Sequence, residues 1–172
     1  VFSPIKLGPV EIPNRFYFSP HGVALTIGTK PTDDFVAYKT ARVKGGGCGL
    51  VVVSMTVHDR GRAFQPSPYP KDSVTAFRAL ADSVHKEGGK IFGELWYWWG
   101  MTGSWQPYSP PSPSLSASAA MYGHNERTAF STHAMNKEEI RAMTEVLKQS
   151  CRNLREAGYD GVMFHASHGG MA

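Results

Sequence analysis

The stretch FHASHGG, Phe164 to Gly170, sets two imidazoles, His165 and His168, three residues apart directly after an apolar run, GVMF. Rings so placed can donate hydrogen bonds to a shared anionic or electron-rich group, or one can move a proton while the other binds. The plainer use of either ring is packing or surface solvation. A metal is disfavoured, because the spacing is not the helical i,i+4 pair and no third Cys, His or carboxylate stands nearby in sequence. Glu94 lies inside a second apolar run, KIFGELW. An unpaired carboxylate there would be costly, so Glu94 is either a functional group at a strand end or half of a buried pair. The aromatic run Trp96-Tyr97-Trp98-Trp99 continues from it. Alternate residues of a strand face opposite ways, so all four cannot enter one core. A stacking wall for a planar ring, a cation–π bowl for an alkylated amine, and packing beneath the following loop all fit. Two further groups close apolar runs: Ser19-Pro20-His21-Gly22 after RFYF, and Ser54-Met55-Thr56 after LVVV.

Something must bring these groups together. KLGPVEI has a Gly-Pro turn between short apolar pieces and predicts a small hairpin. Arg15 to Phe18 reads as a short strand that Pro20 cannot prolong. Thr32 can cap a helix over 33–44, stopped by Gly45-Gly46-Gly47. Leu50 to Ser54 is a continuous β-branched run, suited to a strand buried on both faces. Val74, Phe77, Leu80 and Val84 share one face of a helix over 73–87, which Gly88-Gly89 end. Lys90 to Trp96 is the next strand, and 100–135 is a long Pro/Ser-rich loop of the kind that forms lids or binding walls. Asn136 and Glu139 form a variant capping box. The helix it opens carries Ile140, Met143, Leu147, Cys151 and Leu154 on one stripe, and Gly158 ends it. Gly161 to Phe164 is a fourth strand, running into His165.

Strands alternating with helices at this spacing mean βαβ units and a parallel sheet. No GxGxxG follows the first strand, which disfavours a dinucleotide-binding doubly wound sheet. The expected class is therefore α/β, a (β/α)8 TIM barrel, of which 172 residues supply about the first four units. Functional residues of such barrels sit at the strand C-terminal ends, and the four ends here are the four chemical groups named above.

Composition excludes other classes. The chain is 41% hydrophobic and 19% charged, which is globular. Its net charge of +4 is scattered, so no nucleic-acid footprint is expected. No run suits a membrane helix or a signal peptide. Cys48 and Cys151 read as small buried residues, without a disulfide framework or zinc site, which suits a reducing, cytoplasmic setting.

FSPIKLGPVEIPNRFYFSPH, GGGCGLVVVS, GGKIFGELW and EAGYDGVMFHASHG together resemble the N-terminal half of the old yellow enzyme family, FMN-dependent NADH:flavin oxidoreductases on an eight-fold barrel. NRFYFSPH and GELWYWWG look closer to the trimethylamine-dehydrogenase and dienoyl-CoA-reductase-like branch. The resemblance implies that Ser19, Pro20, His21, Ser54, Met55, Glu94 and His165 contact FMN. It implies that His165 and His168 carry the reaction, with His168, Tyr97 and Trp98 on the substrate and NAD(P)H as reductant. A 4Fe-4S cluster, where such proteins hold one, belongs to the second half of the barrel, as do the phosphate-binding loops. Two positions depart from the family pattern: Gly170 stands where ene-reductases place a proton-donating Tyr, and Tyr97-Trp98-Trp99-Gly100 replaces a His-x-Gly-Arg motif.

The expected activity is hydride transfer between NAD(P)H, flavin and an activated alkene or enone. The alternatives are an amine dehydrogenase or N-demethylase of the same family, and a truncated, flavin-free homologue acting as a binding protein or non-redox isomerase. The start without Met and the four-strand length are read as half of a larger oxidoreductase. The open sheet edges are then covered by the remainder of the barrel or by a homo-oligomer.

Overall fold

In a computed structural model of the chain, the described residues are 1–57, 65–96 and 136–166, with three strand segments between them whose backbone alone is described. A hairpin opens the fold: β1 (Ile5–Leu7) pairs antiparallel with β2 (Val10–Ile12) across a turn in which Gly8 has φ 58°. That left-handed value favours glycine and explains the Gly-Pro turn. β3 (Tyr17–Phe18) follows, shorter than the expected run from Arg15. A second hairpin, β4 (Thr26–Ile27) with β5 (Lys30–Pro31), was not legible as strand.

Helix α1 (Asp33–Thr40) starts at Thr32, whose side chain accepts from Phe35 N–H, as the sequence predicts. It ends earlier than expected, and turns carry the chain to Gly45 and Gly46. β6 (Leu50–Thr56) is buried along its whole length. A 3-10 turn leads into α2 (Val74–Lys86), which buries Val74, Phe77, Leu80 and Val84. β7 (Lys90–Trp96) has the predicted bounds. Within the stretch expected to be structureless lie β8 (Ser112–Ser114), β9 (Met121–Tyr122) and β10 (Phe130–Ala134), forming a separate sheet in the order β8-β10-β9. Pairing between distant segments overrides the weak strand propensity of Ser and Pro there.

Helix α3 (Lys137–Glu156) begins with a complete capping box: Asn136 accepts from Glu139 N–H, and the Glu139 carboxylate accepts from Asn136 N–H. Its stripe is deeply buried at Met143 and Leu154, whereas Ile140 is exposed. β11 (Gly161–Phe164) completes the main sheet. Cys48 and Cys151 are half-buried rather than buried. Burial pushes the Cys151 thiol up.

The main sheet has the order β3-β6-β7-β11, every pair parallel. Consecutive strands are neighbours and the order never reverses. A doubly wound sheet reverses at its switch point, so this is the winding of a barrel. Register divides the sheet into two layers. Val51, Val53, Met55, Ile91 and Leu95 join α2 and α3 in the larger core. Leu50, Val52 and Phe92 face the other way, onto Ile12, Ile5 and Val10 of the first hairpin, which closes the end where the strands begin. Asp160 ties that end together. Its carboxylate accepts from His85 Nε2 at 2.7 Å, from Lys90 Nζ at 3.1 Å and from Ile91 N–H at 2.9 Å.

Candidate functional site

With the strand-start end closed by apolar residues, the polar residues of the inner face collect at the strand C-termini. Ser54 and Glu94 are partners in register, as are Glu94 and Met163, so the three share a row and a face with Leu50, Val52 and Phe92. The next row holds Thr56 and Trp96. His165 lies two residues beyond Met163, and a period of two keeps it on the inner face. Its N–H donates to Leu95 O at 3.1 Å, which continues the ladder past β11.

Glu94 is 7% exposed. Its Oε1 accepts a hydrogen bond from His165 Nδ1 at 3.0 Å. The two alternatives for Glu94 thus coincide: it is half of a buried pair, and it stands at a strand end. A carboxylate can only accept, so Nδ1 carries the proton in this bond. The Trp96 ring lies 4.7 Å from that of His165, tilted by 45°.

Ser54 Oγ accepts from Gln65 Nε2 at 2.8 Å. Gln65 is 3% exposed and belongs to the site although nothing in the sequence marked it. The one available signal was a polar residue entering the proline-punctuated run QPSPYP, which carries no periodicity. Gln65 Oε1 and Thr56 Oγ1 are buried and have no hydrogen-bond partner among the described residues.

The fourth group sits at the other edge. Ser19 is exposed, and Pro20 and His21 are half-buried. His21 Nδ1 donates to Ser19 O at 3.1 Å, because a carbonyl can only accept. A neutral ring then receives the Tyr38 hydroxyl proton at Nε2, at 2.9 Å. β3 and β7 are separated by β6, about 10 Å at two strand spacings. The structure thus brings Ser54, Glu94 and His165 together and leaves Ser19, Pro20 and His21 as a wall at that distance. Met55 is a correction. Its side chain faces the helices, is 0% exposed and packs in the larger core, because odd positions of β6 point outward. Tyr97, Trp98, His168 and Gly170 lie outside the described residues. Among the described residues, no three His, Cys, Asp or Glu side chains group as a metal site. No described helix is long and apolar enough to cross a membrane.

Four parallel strands joined by three helices and wound in one direction, closed at the strand starts and polar at the strand ends, define part of a TIM barrel with its site on the C-terminal rim. The chain belongs to the NADH:flavin oxidoreductase / NADH oxidase family, whose model matches residues 1–171. It is 24% identical to a putative 12-oxophytodienoate reductase 11 of Oryza sativa subsp. japonica, over 98% of this chain and 48% of that protein. It is 30% identical to an N,N-dimethylglycine/sarcosine dehydrogenase of Chromohalobacter salexigens, over 98% of this chain and 24% of that one. Its fold superposes on morphinone reductase in complex with tetrahydroNAD with a TM-score of 0.84 at 22% identity, covering 99% of this chain and 50% of that one. The chain thus spans about half the length, or less, of the proteins it resembles.

Proposed function

We propose that the chain forms the flavin- and substrate-facing half of an FMN-dependent oxidoreductase that passes hydride from NAD(P)H to an activated alkene or enone. The observation that carries this reading is the buried Glu94–His165 pair at the ends of adjacent strands. The residues present fit a flavin. Gln65 Oε1 and Thr56 Oγ1, buried and without a hydrogen-bond partner among the described residues, stand at the same rim and suit a partner that brings hydrogen-bonding groups. Ser54, Glu94 and His165 would hold that edge, and Ser19, Pro20 and His21 would flank the ring from β3.

FMN, when bound, supplies reversible hydride transfer. The protein's own part is positioning and proton handling. Glu94 fixes the His165 tautomer and ring orientation, in the manner of the carboxylate of a catalytic triad. His168, and His165 when its ring is doubly protonated, would donate to the carbonyl oxygen on which charge accumulates, and oriented donors at that atom are worth roughly 3 kcal/mol each. Where family members use a Tyr to protonate the substrate, Gly170 has no such group. His165 can hold a proton at Nε2 and release it, which makes the pair a candidate donor. The nicotinamide is proposed from the family, and morphinone reductase is a fold neighbour that binds a nicotinamide analogue.

A second reading, oxidation of an N-methylated amine, is favoured by the dimethylglycine/sarcosine dehydrogenase relative and by the carboxylate at position 94. Reconstitution with FMN followed by anaerobic mixing separates the two. Enone reduction predicts that NAD(P)H bleaches the flavin and an enone restores its colour. Amine oxidation predicts bleaching by an N-methylated amine instead. Glu94→Ala should lower the productive half-reaction by about 10- to 100-fold. Failure of the full-length protein, with the proposed second half of the barrel present, to take up FMN overturns both readings and leaves a flavin-free binding protein or isomerase.

A further inference from the structure

The Ser19-Pro20-His21 wall is fastened to α1. Tyr38 hydrogen-bonds His21, and the His21 ring meets Phe18 edge-on at 4.9 Å and Tyr38 at 5.9 Å. Against these rings lies a group that the proposed chemistry does not use. Lys39 is 0% exposed, and its Nζ has no hydrogen-bond partner among the described residues. Ring faces surround it instead: Phe18 at 5.0 Å, Phe35 at 5.4 Å and Tyr38 at 5.7 Å from their centroids. The Arg42 guanidinium lies over two of the same rings, 5.4 Å from Phe18 and 4.5 Å from Tyr38.

A buried ammonium without an acceptor is costly, and what compensates it here is the negative face of the rings. That attraction acts on the charged form alone. Charged, Lys39 draws Phe18 and Tyr38 onto Nζ, and these are the two rings that hold His21. Neutral, it is an amine on an apolar stem and exerts no such pull. Among the described residues, the groups near it that carry or can carry charge are Arg42 and Tyr38 on α1, with His21 one step further, bonded to Tyr38. No carboxylate bonds it among the described residues. Burial first, and the Arg42 charge second, lower its pKa to about 8.

We propose that Lys39 is a positioning residue for this wall: its ammonium grips the Phe18 and Tyr38 rings that clamp His21, and loss of its proton relaxes the grip. The consequence for a flavin rests on the function proposed above, whereas the clamp itself does not. The wall is held below about pH 8 and loosened above it, with α1 as the element that transmits the change.

The test follows the His21 Nε2 nitrogen by NMR in the whole chain, from about pH 7 to about pH 9.5, a range in which an ordinary imidazole has mostly lost its proton. Wild-type protein should show a step in the His21 shift near pH 8. Lys39→Met keeps the length of the stem and removes the charge, so its step should vanish. Lys39→Arg stays charged throughout and should hold the low-pH shift across the series. A wild-type trace without a step, or a step that survives in Lys39→Met or Lys39→Arg, overturns the proposal. Should Lys39→Met not fold, Lys39→Arg decides alone. FMN affinity is measured on the same samples. It should weaken by about 3- to 10-fold above the step in wild type and stay constant in Lys39→Arg. A His21 step supports the clamp whether or not FMN binds, and in the full-length protein the absence of FMN binding at every pH removes the flavin reading. FMN binding indifferent to the step overturns the consequence for the flavin and leaves the clamp to be decided by the His21 signal alone.

Discussion

Asp160 shows at the residue scale how the two ends of the sheet differ. At the strand starts one carboxylate is saturated by a histidine, a lysine and a backbone N–H. Burial alone would raise its pKa, but the bonds from His85, Ile91 and Lys90 outweigh it and hold the carboxyl below its ordinary value. A depressed carboxyl stabilises the fold above the unfolded value, near pH 4, and that contribution is lost as pH falls through the lower folded value. Asp160→Asn should therefore cost about 1–3 kcal/mol at neutral pH and flatten the acid limb of stability below about pH 4. Urea titrations of both proteins across that range check it, and an unchanged acid limb would sink the idea. At the strand ends, by contrast, Thr56 Oγ1 and Gln65 Oε1 have no hydrogen-bond partner among the described residues. Sequence reading singled out Ser54, Glu94 and His165, which the fold brings together, because each interrupts or ends an apolar run. It missed Gln65, Lys39 and the Tyr38–His21 bond, whose partners are distant in sequence and whose burial leaves no pattern. It misplaced Met55 because a run buried on both faces hides which parity points inward.

The elements were more legible than their contacts. β6 and β7 announce themselves as continuous apolar runs, and the Asn136–Glu139 box marks the start of α3 to the residue. β8 to β10 were hidden, because a strand reading Ser-Pro-Ser exists only through the partner it pairs with. The capping box makes an element-scale prediction. Asn136 Oδ1 accepts from both Glu138 and Glu139 N–H, so Asn136→Ala leaves two donors at the head of a 20-residue helix without that acceptor. The expected loss is about 1 kcal/mol. Because the first turn is exposed and the buried face begins at Met143, fraying should be local. Hydrogen exchange should quicken over residues 137–141 in the variant and stay unchanged in β6 and β7. Faster exchange throughout α3 and the sheet would show instead that the cap sets the stability of the whole unit.

At the scale of the molecule, the winding that makes the site also leaves it open. β3 and β11 are the outer strands of the main sheet, and neither has a further neighbour among the described residues. β11 exposes Val162, Met163 and Phe164 at 36%, 37% and 52%, and Phe16 and Tyr17 are exposed at the opposite edge. A parallel sheet is ordinarily covered on both faces, and an apolar edge strand is a template for pairing. The same register that turns Glu94 inward turns Val162 and Phe164 outward, on the side where α2 and α3 cover β6 and β7. In the proposed holoprotein the rest of a barrel would cover this edge. Expressed alone, the 172-residue chain should instead bury it by self-association. Sedimentation velocity of that chain should give a dimer or larger species. Val162→Lys with Phe164→Lys should weaken association by about 10-fold or more, since charge on an edge strand opposes pairing. Because both positions point away from the inner face, the double variant should leave the Glu94–His165 pair intact, which the His165 Nδ1 signal reports. A wild-type chain that sediments as a stable monomer would mean that the four units close their own edges, and the half-barrel reading of the assembly would fall.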